Sequence, residues 1–311
     1  MFSYTIKRFL MMLVTILIIA TLTFILMHSI PGSPFNEERT TNEAIQANLE
    51  KFYKLDEPLP VQYMNYLKSI VTFDFGPSIK KPNETVNELL ARGFPISLEL
   101  GLTTILVAVI SGILLGTFAA LRHNGFIDYF AMTFAVVGIS VPNFVLATLL
   151  IQKLAVDYNI FPPATWSSPM HMVLPVLALA TGPMAIIARL TRSSMLEVLT
   201  QDYIKMARAK GLSPFRIVVR HALRNALMPV VTIMGTMLAG ILTGTFVIEK
   251  IFAIPGMGKY FVEGINNRDY PVIMGTTVFY SSFLVFMLFL VDIVYGFLDP
   301  RIKLHKKAGD A

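Results

Sequence analysis

Six apolar blocks, each about the length of a membrane crossing, limit this chain more than any other feature of its sequence. A hydrocarbon core about 30 Å thick needs roughly 20 apolar residues per helix, and residues 9–30, 98–121, 127–150, 172–190, 229–248 and 274–298 reach about that length. Inside lipid the backbone has no water to pair with, so blocks of this length must be helical. The expected fold class is an all-α integral membrane protein of six transmembrane helices. Only 15% of the 311 residues are charged and 54% are hydrophobic, whereas soluble domains carry about 25% charged residues. The first block follows Lys7 and Arg8 as a secretory signal would. Its apolar run exceeds the usual length of about 7–15 residues and no small-x-small cleavage site follows, so it is expected to stay as the first span. The fourth block is interrupted by Pro175, Gly182 and Pro183, which membrane helices tolerate where neighbours re-satisfy the backbone.

The net charge of +6 could suggest nucleic acid, but the basic residues sit beside the apolar blocks, which is a membrane-topology pattern. With the N-terminus inside, the inside segments 1–8, 122–126, 191–228 and 299–311 hold Lys7, Arg8, Arg122, a dense set from Arg192 to Arg224, and Arg301, Lys303, Lys306 and Lys307. The outside loops 151–171 and 249–273 hold only Lys153, Lys250, Lys259 and Arg268. Both termini are expected in the cytoplasm. There is no cysteine, and His28, His123, His171, His221 and His305 show no ligand-like spacing. Thiolate metal chemistry is therefore excluded, and no metal site is expected.

Residues 31–97 read as an exported cap with short helices. Thr40-Thr41-Asn42-Glu43 and Thr85-Val86-Asn87-Glu88 are capping-box starts. The second leads into Leu89 and Leu90, with Gly93 and Pro95 expected to close that helix.

Between the fourth and fifth blocks lies a basic segment, 191–228, whose centre has start and stop signals at fixed places. Asp202 suits the N-terminal end of a helix with body Tyr203 to Lys210. Gly211 stands where a left-handed C′ residue is wanted, with Leu212 as its apolar follower. Ser213-Pro214 restarts a second helix, serine as cap and proline at the first helical position. Small Ala207 and Ala209 would allow close approach of a partner, and Tyr203 and Met206 would supply contact area. Arg216, Arg220 and Arg224 form a basic stripe that suits either anionic headgroups of membrane lipid or carboxylates of a protein.

The run 202–229 closely resembles the loop of ABC-transporter permease subunits, in particular the B-type permeases of oligopeptide and dipeptide importers. Their pattern looks like Asp-Tyr-Ile-x-x-Ala-Arg-Ala-Lys-Gly-Leu followed by His-Ala-Leu-Arg-Asn-Ala, here Asp202 to Leu212 and His221 to Ala226. Further matches are Ile30-Pro31-Gly32, Ser140-Val141-Pro142-Asn143-Phe144, Leu174-Pro175, Phe252 to Gly258, Arg268-Asp269-Tyr270-Pro271 and Asp299-Pro300-Arg301, so the resemblance runs the full length. Lys205 and Met206 depart from the wider importer pattern Glu-Ala-Ala-x-x-x-Gly, leaving Ala207 and Gly211, as the peptide-importer branch also does. The resemblance implies one permease domain over 1–311 with the type I importer fold, in a bacterial cytoplasmic membrane. It implies a second homologous permease subunit (a heterodimer), two cytoplasmic ATPase subunits that bind ATP and Mg, and an extracytoplasmic peptide-binding protein. Asp202, Tyr203, Ile204, Ala207, Arg208, Ala209 and Gly211 would make the coupling helix and its stop, lying in a cleft of one ATPase. Closure of the ATPases on ATP would swing the bundles from inward-facing to outward-facing, giving alternating access.

The chain is not expected to be an enzyme or to hold a cofactor. Gly256-Met257-Gly258-Lys259-Tyr260 lacks the first glycine and the Ser/Thr of a phosphate loop, and reads as a turn into an external helix. An ion-coupled carrier, the alternative reading, would place ionisable groups near mid-membrane. Glu99 and Asp292 lie nearer the ends of their blocks. Ser111, Ser140, Asn143, Gln152, Thr236, Thr243 and Thr245 could line a path or bond helix to helix, and no substrate contact is assigned. Oligopeptide, dipeptide, glutathione, nickel-chelate and short oligosaccharide import all occur among relatives of this family.

Overall fold

The computed structural model describes residues 2–29, 51–243 and 245–298 of the chain. The expected helix start at Thr40–Glu43 and the Ile30-Pro31-Gly32 and Asp299-Pro300-Arg301 stretches lie outside the described residues. Among the described residues no strand forms, and one isolated bridge joins Pro77 and Thr85. The helices are α1 (Phe2–Ser29), α2 (Leu59–Thr72), α3 (Val86–Leu121), α4 (Phe126–Ser140), α5 (Asn143–Leu150), α6 (Pro169–Leu199), α7 (Asp202–Ala209), α8 (Pro214–Ala226), α9 (Met228–Thr243), α10 (Phe246–Ile251), α11 (Met257–Asn266) and α12 (Tyr270–Leu298). Wider π-helical turns occupy Ile151–Asp157 after α5 and Ile217–Ala222 within α8.

Among the described residues, Tyr4–Ser29, Val86–Leu121, Pro169–Leu199 and Tyr270–Ile293 are long and apolar enough to cross a membrane. Two bent pairs would add one span each: Phe126–Ser140 with Asn143–Asp157, at 107°, and Pro214–Ala226 with Met228–Leu238, at 54°. The stretch expected as the third span is thus two helices meeting at a sharp angle. Its cause is local. Pro142 has no amide to donate and pushes the residue before it out of the helical region, and Val141 is extended at φ −87° and ψ 121°.

Two compact units divide the chain, Met1–Ile96 with Gly256–Ala311, and Ser97–Pro255. In the first unit α1 packs against α12, with Ala20, Phe24, Tyr66 and Val278 buried together. Near the opposite end of α1, Arg8 pairs with Asp292 at 2.9 Å. Asp292, one of the two carboxylates an ion-coupled carrier could use, is therefore engaged in holding two helices. Buried Asp269 ties the segment before α3 to the start of α12. Its Oδ2 accepts from the Ser78 hydroxyl at 2.5 Å and the Lys80 amide at 3.1 Å, and its Oδ1 from the Ile79 amide at 3.2 Å. Oδ1 also receives the Val272 amide at 3.4 Å, the N-cap geometry for α12. The Tyr53 hydroxyl donates to the Ser78 carbonyl at 2.9 Å, and burial together with the Asp269 charge raises the phenol above its ordinary range, so it stays a donor.

The Thr85 start signal forms as a capping box: the Thr85 amide donates to Glu88 Oε2 at 2.9 Å, and the Glu88 amide to Thr85 Oγ1 at 3.2 Å. The helix it starts does not close at Gly93 and Pro95 but runs on to Leu121. Gly93 serves another purpose. A Cβ there would stand 2.9 Å from the Tyr260 ring and 3.0 Å from the Met257 amide nitrogen, so glycine lets α3 approach the first turn of α11. Pro95 removes one backbone hydrogen bond without breaking the helix, as prolines do in membrane helices.

In the second unit α6 is continuous through Pro175 and Pro183 and carries much of the core, from Leu174 through Ala185 and Ala188 to Met195. Two neighbours come against it at glycines. A Cβ on Gly112 would meet Ile187 and the Met184 carbonyl at 2.8 Å, and one on Gly116 would collide with the Ala188 carbonyl. This Gly-x-x-x-Gly pair lets the α3 and α6 backbones touch, which is how helices gain contact where lipid supplies no hydrophobic drive. On α4, Gly138 does the same beside Thr181, with a Cβ distance of 2.8 Å.

The Asp269 cluster gives a direct test of how the first unit is held. Leaving one buried donor unpaired costs about 1–3 kcal/mol, and Asp269→Ala strips the acceptor from several. The detergent-purified variant should still insert in membranes but unfold at a lower temperature, with Asp269→Asn in between. An unchanged melting temperature for the alanine variant would show that the cluster contributes nothing.

Candidate functional site in the 202–226 loop

The loop is a short helix, a stop and a restart, each specified by identifiable residues. Helix α7 ends in a Schellman arrangement: the Gly211 amide donates to the Arg208 carbonyl at 2.9 Å and the Leu212 amide to the Ala207 carbonyl at 3.3 Å. Gly211 has φ +74°, and nothing lies within 4 Å of where its Cβ would be. Glycine is needed there for its backbone freedom and not for space. Ser213 caps the next helix by accepting from the Arg216 amide at 3.4 Å, with Pro214 at the first position.

Two details differ from the sequence-based expectation. Asp202 is the first helical residue and Gln201 the N-cap, with no side-chain cap bond. The Asp202 carboxylate turns instead to Lys205 Nζ at 2.9 Å, an exposed pair. It can still favour the positive end of the helix by charge. The second difference is in α8, where the π-helical turn Ile217–Ala222 replaces a regular α-helix. Arg216, Arg220 and Arg224 are all exposed and have no ion-pair partner among the described residues.

The faces of α7 are sharply divided. Ile204 is fully buried and Ala207 nearly so, at 0% and 7% exposure, while Tyr203, Met206, Arg208 and Ala209 are exposed. Ile204 and Ala207 lie in one apolar cluster with Ala120 of α3, Met195 of α6, and Ile217, Ala222 and Ala226 of α8. The Tyr203 hydroxyl receives the Asn225 side-chain amide at 2.8 Å, tying α7 to the end of α8. Of the seven residues named from the sequence, then, Ile204 and Ala207 hold the helix to its own chain. Gly211 ends it, and Tyr203, Arg208 and Ala209, with Asp202, face outward.

Sequence reasoning missed a neighbouring ion pair. Asp128, in the first turn of α4, is buried and forms a two-pronged pair with Arg192 of α6: Nε to Oδ1 at 2.5 Å and Nη2 to Oδ2 at 2.8 Å. A signal was available, since a carboxylate just inside an apolar block is costly unless paired. Glu249, which the sequence places at the start of an outside loop, is fully buried and accepts from Thr245 Oγ1 at 2.6 Å.

Several polar residues considered for a path bond within their own helices. Ser111 donates to the Val107 carbonyl, Ser140 to the Val136 carbonyl at 2.8 Å and Thr236 to the Ile233 carbonyl at 2.9 Å. Among the described residues, no three His, Asp or Glu side chains gather as metal ligands would. Gly256 precedes the first turn of α11, where Met257 and Gly258 are buried.

Comparison with known proteins places the chain in a family. Residues 112–304 match the family described as binding-protein-dependent transport system inner membrane component. Residues 1–101 match its N-terminal membrane-component family. The dipeptide transport system permease protein DppB of Bacillus subtilis (strain 168) is 73% identical over 307 residues, covering 99% of this chain and 100% of the relative. The oligopeptide transport system permease protein OppB of Haemophilus influenzae is 42% identical over 97% of this chain and 100% of its own length. A solved structure of the MetNI methionine ABC transporter in an inward-facing conformation aligns with a TM-score of 0.53 at 20% identity, over 68% of this chain and 94% of that one. The fold is thus that of type I ABC importer permeases. With the family match covering more than half of the chain and a close relative covering nearly all of it, this protein belongs to the binding-protein-dependent transport system inner membrane components, multi-pass permease subunits of ABC transporters and not enzymes.

Proposed function

We propose that this chain is one of two permease subunits in an ATP-driven importer of dipeptides or short oligopeptides. The observation that carries the proposal is the construction of α7: a short helix gripped on one face by its own chain and bare on the other, with its end fixed by Gly211. Such a helix can take a push on its outer face and pass it inward. Tyr203, Met206, Arg208, Ala209 and Lys210 are the contact surface for a cytoplasmic ATPase subunit. ATP and Mg are bound by two such subunits, a second homologous permease completes the pathway, and an extracytoplasmic binding protein delivers the peptide. The full-length likeness to relatives named for dipeptide and oligopeptide transport supports the cargo class. At 73% against 42% identity, it favours dipeptides first. In this reading α7 and both termini face the cytoplasm, in keeping with the lysine and arginine placement.

Two experiments test this. Purified in mild detergent with its co-encoded subunits, the chain should bring down an ATPase and a second permease, and the reconstituted complex should take up dipeptides when a loaded binding protein is added. Recovery of the chain without any ATPase would contradict the proposal. The second concerns Gly211. A left-handed backbone costs a non-glycine residue about 1–2 kcal/mol, and more for a β-branched side chain. Gly211→Val should therefore insert and assemble normally yet lose most peptide-stimulated ATP hydrolysis, while Gly211→Asn, which tolerates that conformation, should keep more of it. Wild-type stimulation in the valine variant would mean that the helix stop does not matter for coupling.

A further inference from the structure

We propose that the Asp128–Arg192 pair is a positioning joint that makes the α3–α4 hairpin move with α7, so that displacement of the short helix reaches α4 without slippage. The inference rests on the coupling role given to α7 above. Three placements carry it. Arg192 lies one turn before Met195, and Met195 sits in the cluster that grips Ile204 and Ala207. Ala120, close to the end of α3, belongs to the same cluster, so one leg of the hairpin is held by apolar packing. Asp128, on the other leg, is held by the guanidinium fork. The hairpin is therefore held on both sides of its turn, once by the apolar cluster that seats α7 and once by α6, which gives Met195 to that cluster.

The turn itself is closed around the same carboxylate. Asn124, at φ +59°, donates its amide to Asp128 Oδ2 at 3.0 Å, and the Gly125 amide donates to the Arg122 carbonyl at 2.8 Å. His123 Nδ1 lies 3.2 Å from both Asp128 Oδ2 and Arg192 Nη2. Asp128 is 4% exposed and Arg192 24%. A buried ion pair is weak evidence for stability, because well-packed apolar residues would do as well or better. What the fork adds is orientation. Two parallel hydrogen bonds resist rotation and sliding, whereas an apolar contact or a single ammonium would not.

The discriminating variant is Arg192→Lys, which keeps the charge and loses the fork. In the assembled, reconstituted transporter it should show normal complex yield and basal ATP hydrolysis, with peptide uptake and its stimulation of hydrolysis reduced by about tenfold, the scale of a perturbed coupling network. Asp128→Asn should behave alike, and the double variant should be no worse than either single one. A second measurement reads the joint itself. The chain contains no cysteine, so spin labels can be placed at exposed Phe126 and Gln201. Their separation should be the same with and without bound ATP in the wild type, and should shift or broaden on ATP binding in Arg192→Lys. Uptake within twofold of wild type, loss of assembled complex in step with uptake, or labels that move together in the variant would each overturn the proposal. If no loaded binding protein stimulates the wild-type complex, the importer reading fails instead, and the label distances still judge the joint.

Discussion

The seating of Ile204 and Ala207 is the contact on which the functional loop depends. Isolated helices shorter than about 12–15 residues are marginal in water, and α7 spans only Asp202–Ala209. It exists because two side chains one turn apart enter the cluster formed by Ala120, Met195, Ile217, Ala222 and Ala226. Full burial of an isoleucine contributes about 1.5–3 kcal/mol, and the Gly211 and Leu212 amides close the end of the helix. The same seating leaves Tyr203 and Met206 outside. The buried anchor and the exposed surface are therefore opposite faces of one helix.

The membrane supplies the second constraint. Polar groups that cannot reach water must find partners in the chain, and the buried carboxylates follow this rule: Asp128 with Arg192, Asp269 with Ser78 and three backbone amides, Glu249 with Thr245. Close packing is obtained with small residues instead of large ones. Gly112, Gly116 and Gly138 bring α3 and α4 against α6 where any side chain would collide. Prolines differ in what they do to the helices that hold them. Pro175 and Pro183 sit within α6 without breaking it, whereas Pro142 breaks its segment into two helices.

Local signals in the sequence were legible and long-range ones were not. Thr85 with Glu88, Gly211 with Leu212, and Ser213 with Pro214 each act over a few residues, and each forms as its spacing implies. Gly93 and Pro95 read as a helix end because their local preference is for ending helices; the contact of Gly93 with the first turn of α11 overrides it. The burial of Ile204 and Ala207 was invisible for a related reason. Ile204 and Ala207 stand one turn apart as an apolar stripe would, but whether they or Tyr203 and Met206 turn inward is decided by α3, α6 and α8. The Asp128–Arg192 pair joins residues 64 positions apart. In the sequence Arg192 counted only as one more positive charge at the end of a span.

The central claim, that the outer face of α7 meets an ATPase while its inner face is sealed against its own chain, is open to one direct measurement. Because the chain has no cysteine, single cysteines can be introduced at exposed Met206 and at fully buried Ile204. The assembled complex would then be treated with a short bifunctional crosslinker. The account predicts a permease–ATPase adduct from the Met206→Cys protein and none from Ile204→Cys. An adduct from position 204 but not 206, or no ATPase adduct from exposed Tyr203, Met206 or Arg208 in a complex that hydrolyses ATP, would contradict it.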